Sequence, residues 1–151
     1  MTTLQIKESR VSAGLNKQIA NGFVLYTKLH NFHWYVKGES FFTLHAKFEE
    51  LYNETTAHVD ELAERLLALG GKPVATLKES LALATIKEAR GGETYKEMVS
   101  ALVEDYSKLL SELKETMDTA AAENDKGTED LLLGIRTGLE KHLWMLSAYL
   151  G

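Results

Sequence analysis

The sequence predicts an all-α protein: a four-helix bundle with one long crossover, carrying a short helix, between its second and third helices. Three observations support this. Apolar residues recur three and four apart over four long stretches, no segment alternates with the period of a strand, and the breaks are polar or glycine-rich. The 151 residues, 44% hydrophobic and 26% charged, are read as a single domain spanning 1–151 with one hydrophobic core.

The first helix is expected over residues 7–36, with Val11, Leu15, Ile19, Phe23, Tyr26, Leu29 and His33 on one side. Gly38 breaks it, and Ser40 is a candidate N-cap for the second, over 41–69. There the stripe runs Leu44, Phe48, Leu51, Thr55, His58, Leu62, Leu66, Leu69, and it stops at Gly70-Gly71-Lys72-Pro73. Residues 74–92 are less periodic, with a short helix possible over 77–84 and a break at Gly91-Gly92. The third long helix is expected over 94–122, striped by Tyr95, Met98, Leu102, Tyr106, Leu109, Leu113, Met117 and Ala120. A polar loop, 123–127, leads to the last, over 128–150, with Leu132, Ile135, Leu139, Leu143, Leu146 and Leu150. The tight first link makes helices one and two antiparallel, while the second link is long enough to run the height of the bundle.

Several function classes are excluded or disfavoured. No cysteine is present, so disulfides, thiolate metal sites and cysteine nucleophiles are ruled out. A net charge of −5 opposes nucleic acid or an anionic membrane as a partner of the whole surface. The opening MTTLQIKESR lacks the apolar core of a signal peptide, and no apolar run could span a bilayer; the expected location is cytoplasmic.

Four side chains in the middle of the chain form a metal-ligand set: His33, His45, Asp60 and Glu64. Taking the second helix's stripe as zero, its members fall within about 40°, whereas His45 lies near ~100°, Asp60 near ~160° and Glu64 near ~200°. These three face away from the subunit's own core. His45 and Asp60 are separated by roughly 22 Å along the axis, at 1.5 Å per residue, so no single ion bridges them within one chain. Asp60 and Glu64, one turn apart, can share an ion, and so can His33 and His45 across the tight link. His33 also falls on the first helix's apolar stripe. The chain thus carries two half-sites at different heights, and a two-fold related second subunit would set the histidines of one chain against the carboxylates of the other. Phe42, Ala63 and Leu67 share that flank, which suits a buried interface. Taken singly, each of the four is an ordinary structural or surface residue; only the ordered set points to metal.

The run His33-Trp34-Tyr35-Val36-Lys37-Gly38, followed by Leu44-His45-Ala46-Lys47-Phe48-Glu49, resembles the first motif of the Dps family, the mini-ferritins. The run Val59-Asp60-Glu61-Leu62-Ala63-Glu64-Arg65, ending at Leu69-Gly70-Gly71-Lys72-Pro73, resembles the second. The similarity extends through Lys141-His142-Leu143-Trp144-Met145 and is greatest to the bacillary and listerial branch. It implies a ferritin-like fold, a hollow homododecamer, and a ferroxidase centre at each two-fold interface. The implied ligands are His33 and His45 from one subunit, with Asp60 and Glu64 from its partner. The implied activity is oxidation of Fe(II), preferentially by hydrogen peroxide, with Fe(III) stored as a mineral core and protection against oxidative stress.

Other residues carry weaker expectations. Glu49, on the ligand flank, is a candidate second-iron group. Trp34 could take up stray radicals, or serve as an interface aromatic. His58, His30 and His142 are expected to be structural. The resemblance implies an acidic iron-entry pore, for which Asp125 and Asp130 are candidates and Glu123 and Glu129 weaker ones, although Glu129 and Asp130 also suit the N-terminal dipole of the last helix. An alternative reading is a DNA-compacting stress protein with the same shell. Residues 1–10 hold one Lys and one Arg against one Glu, and about twelve subunits at −5 carry roughly −60, so direct DNA binding is not expected. A larger ferritin with its di-iron site inside each bundle needs Glu-x-x-His, and no histidine has a Glu three residues before it. A helical adaptor would explain the fold and not the four ligands.

Overall fold

A computed structural model describes residues 9–151. All the described regular structure is helical: α1 (Arg10–Tyr35), α2 (Phe41–Ala68), the short α3 (Leu77–Leu83), α4 (Tyr95–Ala122) and α5 (Lys126–Leu150). The helix start expected at Lys7 lies outside the described residues; α1 begins at Arg10, with the Ser9 hydroxyl accepting from Ser12 N–H.

Each long helix buries an apolar row in one shared core, which includes Leu15, Ile19, Leu29, Phe32, Phe48, Leu51, Leu66, Leu102, Leu113 and Leu132. Each such buried side chain contributes about 1.5–3 kcal/mol, against about 0.3–0.5 kcal/mol for a surface pair such as Arg136–Glu140. Packing therefore dominates. The expected stripes hold over most of their length, but Leu69 and Leu150 at the ends of theirs are exposed, and along α1 and its C-cap the buried row passes through Leu25, Leu29, Phe32 and Val36, leaving Tyr26 exposed on the flank. The reason is that α1 is enclosed by α2, α3 and α4, so it is buried well beyond a single stripe.

Helix directions follow from which residues meet. Gly14, Gln18 and Lys28 of α1 face Thr116, Glu112 and Asp105 of α4, so these two helices are antiparallel. Ser40, Lys47, Glu54 and Arg65 at successive heights of α2 face Tyr149, His142, His142 and Thr128 of α5, which are antiparallel too. With α1 and α2 antiparallel, α2 and α4 must run the same way, and their connection has to travel the full height. It climbs along α1 on polar rungs. Asn16 donates to Lys72 O and accepts from Val74 N–H; Asn21 accepts from Thr85 and Ile86 N–H; Lys28 donates to Lys87 O. These buried polar side chains were invisible to a search for apolar periodicity.

The helix ends differ slightly from expectation. Ser40 makes no side-chain cap on α2; its hydroxyl accepts instead from Tyr149 at 2.6 Å. Thr94 and Glu97 form a capping box that starts α4. The last helix begins at Lys126 rather than 128, because the Asp125 side chain caps it. Among the described residues no helix is long and apolar enough to cross a membrane.

Candidate metal centre

The corner between α1 and α2 brings His33 and His45 together. His33 lies in the last turn of α1 and is buried; His45 lies in the first turns of α2 and is partly exposed. Their rings stack with centroids 3.7 Å apart and planes 11° apart. The hydrogen bonding is reciprocal: His33 Nδ1 donates to the His45 carbonyl at 2.6 Å, and His45 Nδ1 to the His33 carbonyl at 2.7 Å. A carbonyl can only accept, so both Nδ1 atoms carry protons. In the tautomer that these bonds select, each ring offers the lone pair of its Nε2 to a metal, with its orientation set by the backbone.

The corner itself is tied from the far side of the bundle. Gly38 adopts φ 102°, a conformation that suits glycine, and a side chain there would meet the Tyr95 ring. Tyr95 Oη donates to Glu39 at 3.0 Å, Tyr149 Oη to Ser40, and Phe41 stacks on His45 at 4.9 Å.

Asp60 and Glu64 occupy successive turns farther along α2. Both are exposed, and neither forms a hydrogen bond or ion pair with another described residue. Each half-site has an exposed apolar neighbour on α2: Phe42, one turn before His45, is 85% exposed, and Leu67, one turn after Glu64, is 60% exposed. Among the described residues no three His, Asp or Glu converge as a metal site within the subunit. The histidine pair is assembled, the carboxylate pair is displayed, and the two do not meet in one chain.

The remaining candidates sort themselves by what they touch. Glu49 is exposed and accepts from Tyr52 Oη at 3.2 Å. Trp34 is exposed and packs on His30, whose ring stacks on Tyr52 at 3.8 Å and whose Nδ1 donates to Tyr26 O at 2.8 Å. Asp125 is engaged: it caps α5 through Thr128 and pairs with Arg65 at 2.8 Å. Burial opposes its ionisation, yet the Thr128 hydrogen bonds and the Arg65 guanidinium outweigh this and hold its carboxyl below the usual range. A carboxylate so occupied is a poor ferry for iron. Asp130 stays exposed in the first turns of α5.

One cluster was missed by sequence reasoning. His142 Nε2 donates to Glu54, its Nδ1 lies 3.4 Å from Lys47 Nζ, and His58 Nε2 sits 3.8 Å from the same Glu54 carboxylate. The signal was present: His58 and Glu54 are one turn apart, and His142 lies between Leu139 and Leu146 on the buried row of α5.

The ferritin-like domain family matches residues 12–151 of this chain. DNA protection during starvation protein 2 of Bacillus anthracis is 62% identical to it over 136 residues, 90% of this chain and 93% of that protein. The chain belongs to the Dps family of ferritin-like proteins. A crystal structure of a Dps protein from Bacillus brevis superposes with a TM-score of 0.92 at 57% identity, covering 93% of this chain and 95% of that one. Dps from Listeria innocua, in a structure soaked with zinc, gives 0.90 at 41% identity, over 93% and 96%. Membership of Dps puts the chain in a class of iron-storage and stress-protection proteins.

Proposed function

We propose that this Dps-family chain is a ferroxidase that stores iron, oxidising Fe(II) with hydrogen peroxide and holding Fe(III) in a hollow homododecamer. The whole chain, 1–151, is taken as one ferritin-like domain acting in the cytoplasm. The observation that carries the reading is the reciprocal His33–His45 arrangement, which leaves two oriented Nε2 donors, together with Asp60 and Glu64, whose side chains have no partner among the described residues and cannot reach the histidines in the same chain. In the proposed assembly His33 and His45 of one subunit face Asp60 and Glu64 of the partner subunit across a two-fold axis, giving two equivalent sites per dimer. The exposed Phe42 and Leu67 would be covered by that contact.

The chemistry follows from the donor set. Neutral imidazoles suit Fe(II), and the anionic oxygens favour the product as iron's charge rises to Fe(III). Hydrogen peroxide takes up two electrons and two protons to become two waters. Two Fe(II) ions supply both electrons together, so the one-electron cleavage that releases hydroxyl radical is avoided. Protection of DNA under stress is then read as removal of iron and peroxide, not as coating of the duplex.

The test is peroxide-driven Fe(II) oxidation by a His45→Ala/Asp60→Ala double variant, compared with the wild type. The expected rate is that of iron and peroxide without protein; a wild-type rate would sink the proposal. Sizing of the wild type should give roughly 200 kDa, about twelve chains of 16.9 kDa.

A further inference from the structure

Each imidazole of the candidate centre takes its orientation from the other one's helix. His33 Nδ1 is held by a carbonyl of α2 and His45 Nδ1 by a carbonyl of α1, so both Nε2 atoms turn when the two helix ends shift. The geometry of residues 36–40 between those ends is therefore the geometry of the half-site. Its own backbone bonds are few: Val36 N–H closes α1 on Phe32 O, and Phe41 N–H reaches Gly38 O at 3.1 Å. Among the described residues, two side chains of other elements hydrogen-bond to this link, and both are phenols. Tyr95, the first residue of α4, donates to Glu39 Oε1 at 3.0 Å; Tyr149, in the last turn of α5, donates to Ser40 Oγ at 2.6 Å. Ser40 directly precedes α2, where a serine hydroxyl ordinarily accepts from the helix's first turn. It makes no such bond and accepts from Tyr149 instead. Phe41 follows, and its ring stacks on His45, one turn further on, at 4.9 Å. One hydrogen bond and one ring contact thus lead from α5 to the His45 imidazole.

We propose that Tyr149 and Tyr95 are positioning residues for the His33–His45 half-site. By holding residues 39 and 40 against α5 and α4, they set the direction in which both Nε2 atoms meet a divalent cation. The inference rests on the ferroxidase reading above, and neither phenol touches iron. An imidazole turned away from its ion loses affinity in the ground state and the transition state alike. The effect therefore falls on Fe(II) binding and not on the rate at saturation.

The experiment titrates Co(II), without oxidant, into the assembled full-length protein and follows its visible d–d absorption. The Fe(II) dependence of peroxide-driven oxidation is measured alongside. Tyr149→Phe, which keeps the ring and loses the hydroxyl, should weaken Co(II) binding and raise the half-saturating Fe(II) several-fold, with the rate at saturation unchanged. Ser40→Ala should do the same, since Ser40 caps nothing and only the acceptor is removed. The two combined should do no more than either alone. Tyr95→Phe added to Tyr149→Phe should bring the loss to about tenfold. His142→Ala, destabilised away from the corner, should bind Co(II) as the wild type does, which separates positioning from stability. Wild-type Co(II) affinity in Tyr149→Phe and Ser40→Ala, additive losses in their combination, or an equal loss in His142→Ala overturns the inference. If the wild type does not oxidise Fe(II), it is the ferroxidase reading that has failed, and the Co(II) titration still decides the positioning.

Discussion

Two pairs of histidines in this molecule invite comparison: His33 with His45 at the α1–α2 corner, and His58 with His142 around Glu54 inside the bundle. In the first pair each Nδ1 is spent on a backbone carbonyl, and both Nε2 lone pairs remain. In the second, His142 donates its Nε2 proton to Glu54 and presents Nδ1 to Lys47, while His58 faces the same carboxylate. The residue type and the degree of burial are similar. What separates a candidate ligand from a structural residue is which nitrogen the local partners consume. The first pair is assembled yet incomplete within one chain; the second is satisfied by its own subunit.

The comparison is broken most severely by mixing subunits. His45→Ala and Asp60→Ala single variants should each be inactive as ferroxidases. Unfolded, combined in equal amounts and reassembled, they should recover about a quarter of the wild-type sites, because half the dimers are mixed and each holds one intact site. No recovery in a correctly sized reassembled shell would show that the ligands do not come from two chains.

The interior pair should answer to stability instead. His142→Ala leaves Glu54 without its donor, a loss of about 1–3 kcal/mol read from the denaturant midpoint. Iron oxidation per folded subunit should be retained. Lost activity with unchanged stability would erase the distinction between the two pairs.

The smallest effect is a pH slope. Burial drives the His58 pKa below its ordinary 6.5, although Glu54 and Glu61 pull it up and His142 adds to the lowering. The folded state therefore binds fewer protons than the unfolded state in that window. Stability from this group is present above about pH 6.5 and is lost as pH falls through the folded value. Replacing His58 with Gln should flatten that segment of the stability–pH curve; an unchanged slope would assign the effect elsewhere.

Much of the site was legible because helical geometry is rigid. The rise per residue separates His45 from Asp60, and the angular positions put Asp60 and Glu64 off the core stripe, before any packing is known. The same periodicity identified the four long helices and most of their buried rows. It misplaced Tyr26, because a single stripe cannot describe a helix enclosed by three others. It also left Asp125 as a free acidic residue, whereas its oxygens are engaged by Thr128 and by Arg65, sixty positions away in the chain.

Local pattern therefore decides which residues share a helix face and how far apart they lie, since both depend only on spacing along one element. Which imidazole nitrogen stays free, which carboxylate is consumed, and how Asn16, Asn21 and Lys28 carry the crossover up α1 belong to the packed molecule. Those outcomes depend on the register between helices, and register is settled by the fit of surfaces that are distant in sequence.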